Sequence, residues 1–278
     1  MVEKKIGEYL QTKWAAGKVI YKQTTISTNE DAKQLAEAGA EHGLLVVADT
    51  QSGGKGRRGR SWQSEPETTI SMTLLCRPQF TAEKASMLTL VMGLAVAEAI
   101  SELTGVSASI KWPNDIVVNH KKVCGILTEL GTANGQIDYL IVGVGINVNN
   151  GITLSFVESK EQKRAIIFGE ELADTATSLW LETGVELSRE KLIAACMEKF
   201  EQYYEIFIHD LDLHAMMNAY NNRLAGIDGE VRVLDPQGEY VGISRGIDAE
   251  GNLLVETEGV VKKVYAGEVS VRGLYGYV

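Results

Sequence analysis

The sequence is short of cysteine. Its three cysteines, Cys76, Cys124 and Cys196, are odd in number, far apart and never in a CxxC pair. That excludes a disulfide framework and a zinc knuckle, and points to a reducing compartment. Long apolar runs are also missing. The richest stretch, Met87 to Ala97, stops at Glu98 and reaches about half a membrane span. The N-terminal MVEKKIGEYL has no apolar signal core, so no membrane association and a cytoplasmic location are expected. Positive charge is in deficit: 27 Lys plus Arg against 37 Asp plus Glu leaves a net charge of −10. Phosphate-backbone binding draws on clustered Lys and Arg, so DNA is not an expected partner. No repeat, GxSxG or HExxH occurs. His42, His120, His209 and His214 suggest no metal site, since the last two are five apart and do not share a helix face.

What is present is an ordinary globular mix, 45% hydrophobic and 23% charged over 278 residues, enough for one large domain or two smaller ones. Apolar spacing predicts helices over 3–16, 27–38, 82–104, 172–183 and 188–224. Ser27-Thr28-Asn29-Glu30 reads as a capping box. Strands are predicted at 18–23, 44–48, 69–76, 107–112, 115–118, 122–130 and 137–147. After Gly226 the texture changes to five short strand-like runs, near 229–235, 240–247, 252–257, 260–265 and 268–272. Turns at Asp235–Gly238 and Asp248–Asn252 separate some of them. This pattern indicates a small closed barrel. The boundary falls between 1–225 and 226–278, and the larger part reads as α+β because several strands are sequence neighbours.

Three segments carry candidate chemistry. Gly53-Gly54-Lys55-Gly56-Arg57-Arg58-Gly59-Arg60 sits in a window, 51–62, with four basic residues and no acid. Glycine lets a backbone approach an anion and Arg grips oxygen bidentately, although a solvated surface loop has the same composition. It is not a P-loop, because no Ser or Thr follows Lys55. Lys111-Trp112-Pro113-Asn114-Asp115 describes a strand ending in a rigid turn. Trp112 could equally be core, with Asn114 and Asp115 only shaping the turn. Lys122 lies seven residues beyond Asp115, after a tight turn, so the two can face one cleft from neighbouring strands. Gly143-Val144-Gly145-Ile146-Asn147 is half a dinucleotide fingerprint with no third glycine. Its glycines serve either close ligand approach or plain packing. Cys124 in an apolar strand reads as core.

Together these segments resemble the biotin protein ligase family. The matching pieces are Ser27-Thr28-Asn29, Gln51, loop 53–60 with Trp62, KWPND at 111–115, Lys122 with Gly125, and GVGIN at 143–147. ATSL at 176–179 and ETG at 182–184 also fit. The resemblance implies an α+β catalytic domain of class II synthetase type, built on a mixed sheet, followed by an SH3-like barrel. It implies ATP-dependent transfer of biotin, through biotinyl-5′-AMP, to a lysine of a biotin carboxyl carrier protein, with ATP, biotin and Mg²⁺ as the small molecules. By the same resemblance, biotin contacts fall to Ser27, Thr28, Asn29, Gln51, Lys55, Gly56, Arg57, Lys122 and Gly125. Nucleotide contacts fall to Arg57, Arg58, Arg60, Trp62, Lys111, Asn114, Gly143 and Asn147, and catalytic roles to Arg57, Lys122 and Asp115. Two departures are visible: Lys55 stands where the family usually has Arg, and residues 151–169 diverge. Only 26 residues precede Ser27, whereas a DNA-binding winged helix needs about 50 or more, so the monofunctional form is expected. A homodimer is compatible with all of this. A lipoate or octanoate ligase, or a biotin-sensing interaction module, are the alternatives.

Overall fold

In the computed structural model, residues 2–152, 159–235, 238–266 and 270–273 are described. The larger sheet contains β1 (Lys18–Thr25), β2 (Leu44–Gln51), β3 (Thr69–Cys76), β4 (Ser109–Lys111), β5 (Asp115–Val118), β6 (Lys121–Ala133) and β7 (Gln136–Asn147). Their spatial order is β1-β2-β3-β7-β6-β5-β4. Only β1 and β2 run parallel, so the sheet is mixed, as the sequence predicts. The helices are α1 (Val2–Tyr9), α2 (Thr28–Glu37), α3 (Met87–Thr104), α4 (Lys160–Phe168), α5 (Glu170–Ala173), α6 (Leu179–Thr183), α7 (Arg189–Asp210) and α8 (Met217–Asn221). A second, antiparallel sheet holds β8 (Glu230–Leu234), β9 (Tyr240–Ile247), β10 (Leu253–Thr257), β11 (Val260–Val264) and β12 (Ser270–Gly273), in the order β11-β10-β9-β8-β12. The expected turn residues Pro236 and Gln237, and the start of the run at 268–272, lie outside the described residues.

Two-residue alternation gives the large sheet unlike faces. In β3, Ile70, Met72 and Leu74 enter the main core with Val142, Val144 and Ile146 of β7 and Cys124 and Ile126 of β6. α3, whose residues 87–97 are all buried, covers this face together with α7. The stretch 82–104 is apolar and long enough to cross a membrane, and here it is the central core helix. Each fully buried Leu, Ile or Val contributes about 1.5–3 kcal/mol. On the opposite face, α2 covers one end through Ala32, Ala36, Leu44, Val46, Leu75 and Ile141. The remainder of that face, with Thr69, Ser71 and Thr73 of β3 and the glycines of β6 and β7, is where the site lies.

Several predicted elements are cut short by tertiary contacts. The helix expected over 3–16 ends at Tyr9, because Lys13, Trp14 and Ala15 donate their backbone N–H groups to the buried Glu201 carboxylate at 2.7–2.8 Å. Ser27 occupies the N-cap of α2, but in extended backbone and without a capping bond. The predicted capping box does not form, because Glu30 pairs with Lys55 instead. The helix expected over 172–183 is interrupted at 174–178. There Lys122 donates to the Thr175 carbonyl and Thr177 donates to the Lys122 carbonyl, at 2.8 and 2.9 Å. The helix expected over 188–224 stops at Leu211, whose φ is +56°, and Leu213 then donates to the Ala249 carbonyl in the turn between β9 and β10 at 2.8 Å.

Burial raises the Glu201 pKa, but its three backbone donors outweigh burial and hold it below its ordinary 4.5. A depressed carboxylate contributes stability above the unfolded-state pKa and loses it as pH falls through the folded value. Glu201→Gln should therefore lower stability by about 1–3 kcal/mol at neutral pH. In urea titrations the gap to the parent protein should narrow on the acid side of 4.5.

Candidate active site

The floor of the site is backbone. Gly125 of β6 pairs with Gly145 of β7, and Gly143 pairs with Thr73 of β3. Ser71, Thr73, Gly143, Gly145, Gly125 and Leu127 share the open face, so apart from Leu127 these positions in the middle of the sheet carry only small side chains or none. Other groups occupy the space released. A Cβ on Gly145 would lie 2.3 Å from the Trp62 ring, and one on Gly143 would lie 2.1 Å from Asn29 Oδ1. These contacts select close approach over plain packing for the GVGIN glycines. The indole N–H of Trp62 is buried without a partner.

The basic loop between β2 and β3 is folded back on itself. Gly56 donates to the Arg60 carbonyl at 2.7 Å and Trp62 donates to the Gly54 carbonyl at 2.9 Å. This turn lowers Trp62 onto the glycine floor and leaves Arg58 and Arg60 exposed. Two cavities meet beneath it. The smaller, about 460 Å³, takes Ser27, Thr28 and Asn29 from the start of α2, Gln51 from the end of β2, and Lys55, Gly56 and Gly125, with Ile126, Leu127 and Val144. All nine residues expected for biotin line it. The larger, about 1310 Å³, is lined by Arg58, Arg60, Lys111, Trp112, Asn114, Asp115 and Asn147, with Phe168, Leu172, Thr175 and Ala176 on the far wall. Arg57, Trp62, Asn114 and Lys122 border both.

The shared border is where charge collects. Arg57 donates to Asn114 Oδ1 at 3.0 Å and to the Ala266 carbonyl of the C-terminal part. Burial presses the guanidinium pKa down, and Asp115 opposes that. Lys122 Nζ lies 2.7 Å from Asp115 Oδ1 and 5.9 Å from the centre of the Trp62 ring. The expectation that Lys122 and Asp115 face one cleft from neighbouring strands is met by the β5–β6 pairing. Asn114 is held by its amide N–H groups at the Ile126 carbonyl, 3.1 Å away, and at Asp115 Oδ1, 3.2 Å away. Asn147 donates to the Thr177 carbonyl at 3.0 Å.

Some expected residues are placed differently. Gly143, expected at the nucleotide, lies in the smaller cavity against Asn29 and not in the larger one, because its missing side chain is what admits the Asn29 amide. The Lys55 ammonium turns outward to Glu30, and that hydrogen bond raises the lysine pKa and lowers the glutamate pKa. Trp112 is core, as one reading had it. It is 4% exposed and donates to the Gly251 carbonyl at 3.0 Å. Cys124 is also core, its thiol pKa pushed well up by burial. Sequence reasoning missed Thr73 and Ser64: Ser64 accepts the Gln51 N–H at 2.7 Å, and Thr73 touches Asn29 Oδ1 at 2.7 Å. The signal for Thr73 was legible as hydroxyls at alternate positions of a strand, Thr69, Ser71 and Thr73. The wall from Leu172 to Ala176 was missed because 172–183 was read as continuous helix, and Phe168 because it lies in the divergent stretch 151–169. Among the described residues no group of three or more His, Cys, Asp or Glu is placed to hold a metal ion.

The model of the "Biotin/lipoate A/B protein ligase family" matches residues 16–147. That of the "Biotin protein ligase C terminal domain" matches residues 226–272. The biotin–[acetyl-CoA-carboxylase] ligase of Paracoccus denitrificans is 30% identical over 90% of this chain and 98% of its own length. The chain belongs to the biotin protein ligase family. Another relative, the bifunctional ligase/repressor BirA of Bacillus subtilis, is 34% identical over 94% of this chain and 76% of that protein. The biotin protein ligase of Aquifex aeolicus, solved in complex with biotin and ATP, superposes with a TM-score of 0.76 at 30% identity, covering 92% of this chain and 99% of that one.

In this member of the ligase family, Gly145→Ala should force the Trp62 ring off the sheet at a cost of about 1–3 kcal/mol. Acrylamide quenching of tryptophan fluorescence should rise. Unchanged quenching would show that the indole does not rest on Gly145.

Proposed function

We propose that this chain activates biotin with ATP and transfers it to one lysine of a biotin carboxyl carrier protein. The observation that carries the reading is the junction of a small polar cavity and a larger open one at Arg57 and Lys122. The small cavity offers hydroxyls and amides from Ser27, Thr28, Asn29 and Gln51, suited to a cyclic urea, which has two N–H donors and one carbonyl acceptor. Leu127 suits an apolar ring and chain. Lys122 and Arg57 then meet the carboxylate end, and the α-phosphate approaches from the larger cavity, where Arg58, Arg60, Lys111, Asn114 and Asn147 are assigned to the nucleotide.

A carboxylate and a triphosphate repel each other, so the reaction needs preorganised positive charge where they meet. The carboxylate oxygen forms a bond to the α-phosphorus, the bond to the β-phosphate breaks, and pyrophosphate leaves. The carrier lysine then attacks the acyl carbon as a neutral amine, loses a proton, and AMP departs. Asp115, 2.7 Å from Lys122, is assigned to orient or deprotonate that amine. Mg²⁺ enters with the nucleotide. Among the described residues Asp115 is the one carboxylate lining the larger cavity, so the ligands of Mg²⁺ there would be phosphates and water, the way it is commonly held, and it would shield phosphate charge. We assign residues 1–225 to catalysis and 226–278 to framing the carrier's approach, with the cytoplasm as the compartment. The C-terminal match favours biotin over lipoate.

Arg57→Ala should lower biotin-dependent ATP–pyrophosphate exchange by about two to three powers of ten while leaving the fold intact by circular dichroism. Near-normal exchange would refute the assignment. Lys122→Ala should weaken biotin binding in calorimetry by about tenfold or more, and Lys111→Ala should weaken it less. Equal losses would mean that the carboxylate lies elsewhere.

A further inference from the structure

Behind the wall of the smaller cavity, a chain of polar contacts ends on a charge. Asn29 Nδ2 lies 2.6 Å from Glu129 Oε2 and 3.5 Å from the Leu127 carbonyl oxygen. Both neighbours only accept, so the Asn29 atom facing them is its nitrogen, and a flipped amide would set oxygen against carboxylate. Asn29 Oδ1 therefore faces Thr73 Oγ1, 2.7 Å away. An amide oxygen cannot donate, so the single Thr73 proton goes to it. Thr28 Oγ1 lies 2.8 Å from the same Thr73 oxygen. With the Thr73 proton committed, that contact needs the Thr28 proton. The competing acceptor, Gln51 Oε1, is farther at 3.1 Å and already takes the Thr28 backbone N–H at 2.7 Å.

Proton directions thus run Thr28 to Thr73 to Asn29, with Glu129 holding the amide orientation. What Thr28 Oγ1 and Asn29 Oδ1 have left to offer the cavity is lone pairs and no proton. We propose that Thr73 and Glu129 are positioning residues that set Thr28 and Asn29 as a pair of hydrogen-bond acceptors, so that the site selects ligands presenting N–H donors. The inference rests on the biotin reading above and deepens it. It explains discrimination at the ureido end through groups that do not line the cavity. Thr73 is fully buried, so its hydroxyl has no solvent to fall back on, and losing it leaves Asn29 Oδ1 and Thr28 without their fixed partner.

The test is calorimetry with biotin, and with a biotin analogue methylated on a ureido nitrogen, combined with steady-state exchange kinetics. Thr73→Val keeps the shape of the residue and removes the hydroxyl. It should weaken biotin by about tenfold or more and shrink the preference for biotin over the methylated analogue. kcat and the KM for ATP should stay within about twofold. Thr73→Ser should restore both affinity and preference. Glu129→Gln, at an exposed position, tests the same chain without touching the core and should also reduce the preference. Parental affinity and preference in Thr73→Val would overturn the proposal, as would equal losses for biotin and ATP. If the parent protein itself fails to bind biotin, the functional reading falls and takes this inference with it.

Discussion

The absence of side chains at Gly125, Gly143 and Gly145 is the constraint on which the site depends. These glycines sit at paired positions of β6 and β7, in the middle of a sheet whose other face is sealed by α3. A sheet buried on one face tolerates polar or missing side chains on the other only where something else fills the space. Here the filling is functional: the Trp62 ring over Gly145, the Asn29 amide over Gly143, and the Lys122 stem, whose Cε lies 3.1 Å from where a Gly125 Cβ would be. A methyl group at any of the three would push a site group away.

From that floor the rest of the site is held by contacts distant in sequence. Arg57 is oriented from one side by Asn114 and from the other by the Ala266 carbonyl. Trp112 ties the same turn to Gly251. The C-terminal sheet is therefore joined to the charged junction at two points and is not a detached appendage. The Lys122 backbone is clamped by Thr175 and Thr177. Helix is interrupted at 174–178 because Ala176 bridges to Lys122 there, although the apolar spacing over 172–183 predicts helix.

Much of this was legible in sequence because it is local chemistry. The alternation in Thr69–Cys76, the apolar run from Met87, the Gly and Arg of loop 53–60 and the KWPND turn announce themselves through periodicity and turn preference. Strand β3 and the turn strand β5 fall where expected, and the residues expected around biotin line one cavity. Misreadings cluster where a long-range partner outbids local preference. Glu201 captures the N–H groups that would have continued the first helix. Lys55 draws Glu30 from its capping role, and Gly143 turns out to serve Asn29.

The sequence by itself determined which residue types would carry the chemistry: cations in an acid-free loop, hydroxyls and amides at one helix start, and glycines at a strand end. The tertiary structure alone decided which of them meet. Pairing β3 with β7 and β7 with β6 brings Thr73, Gly143 and Leu127 into one row across more than fifty residues of chain, and a single-residue register slip would turn each of them to the opposite face. Glu129 becomes an arbiter of proton direction only because that register sets it beside Asn29, a hundred positions away.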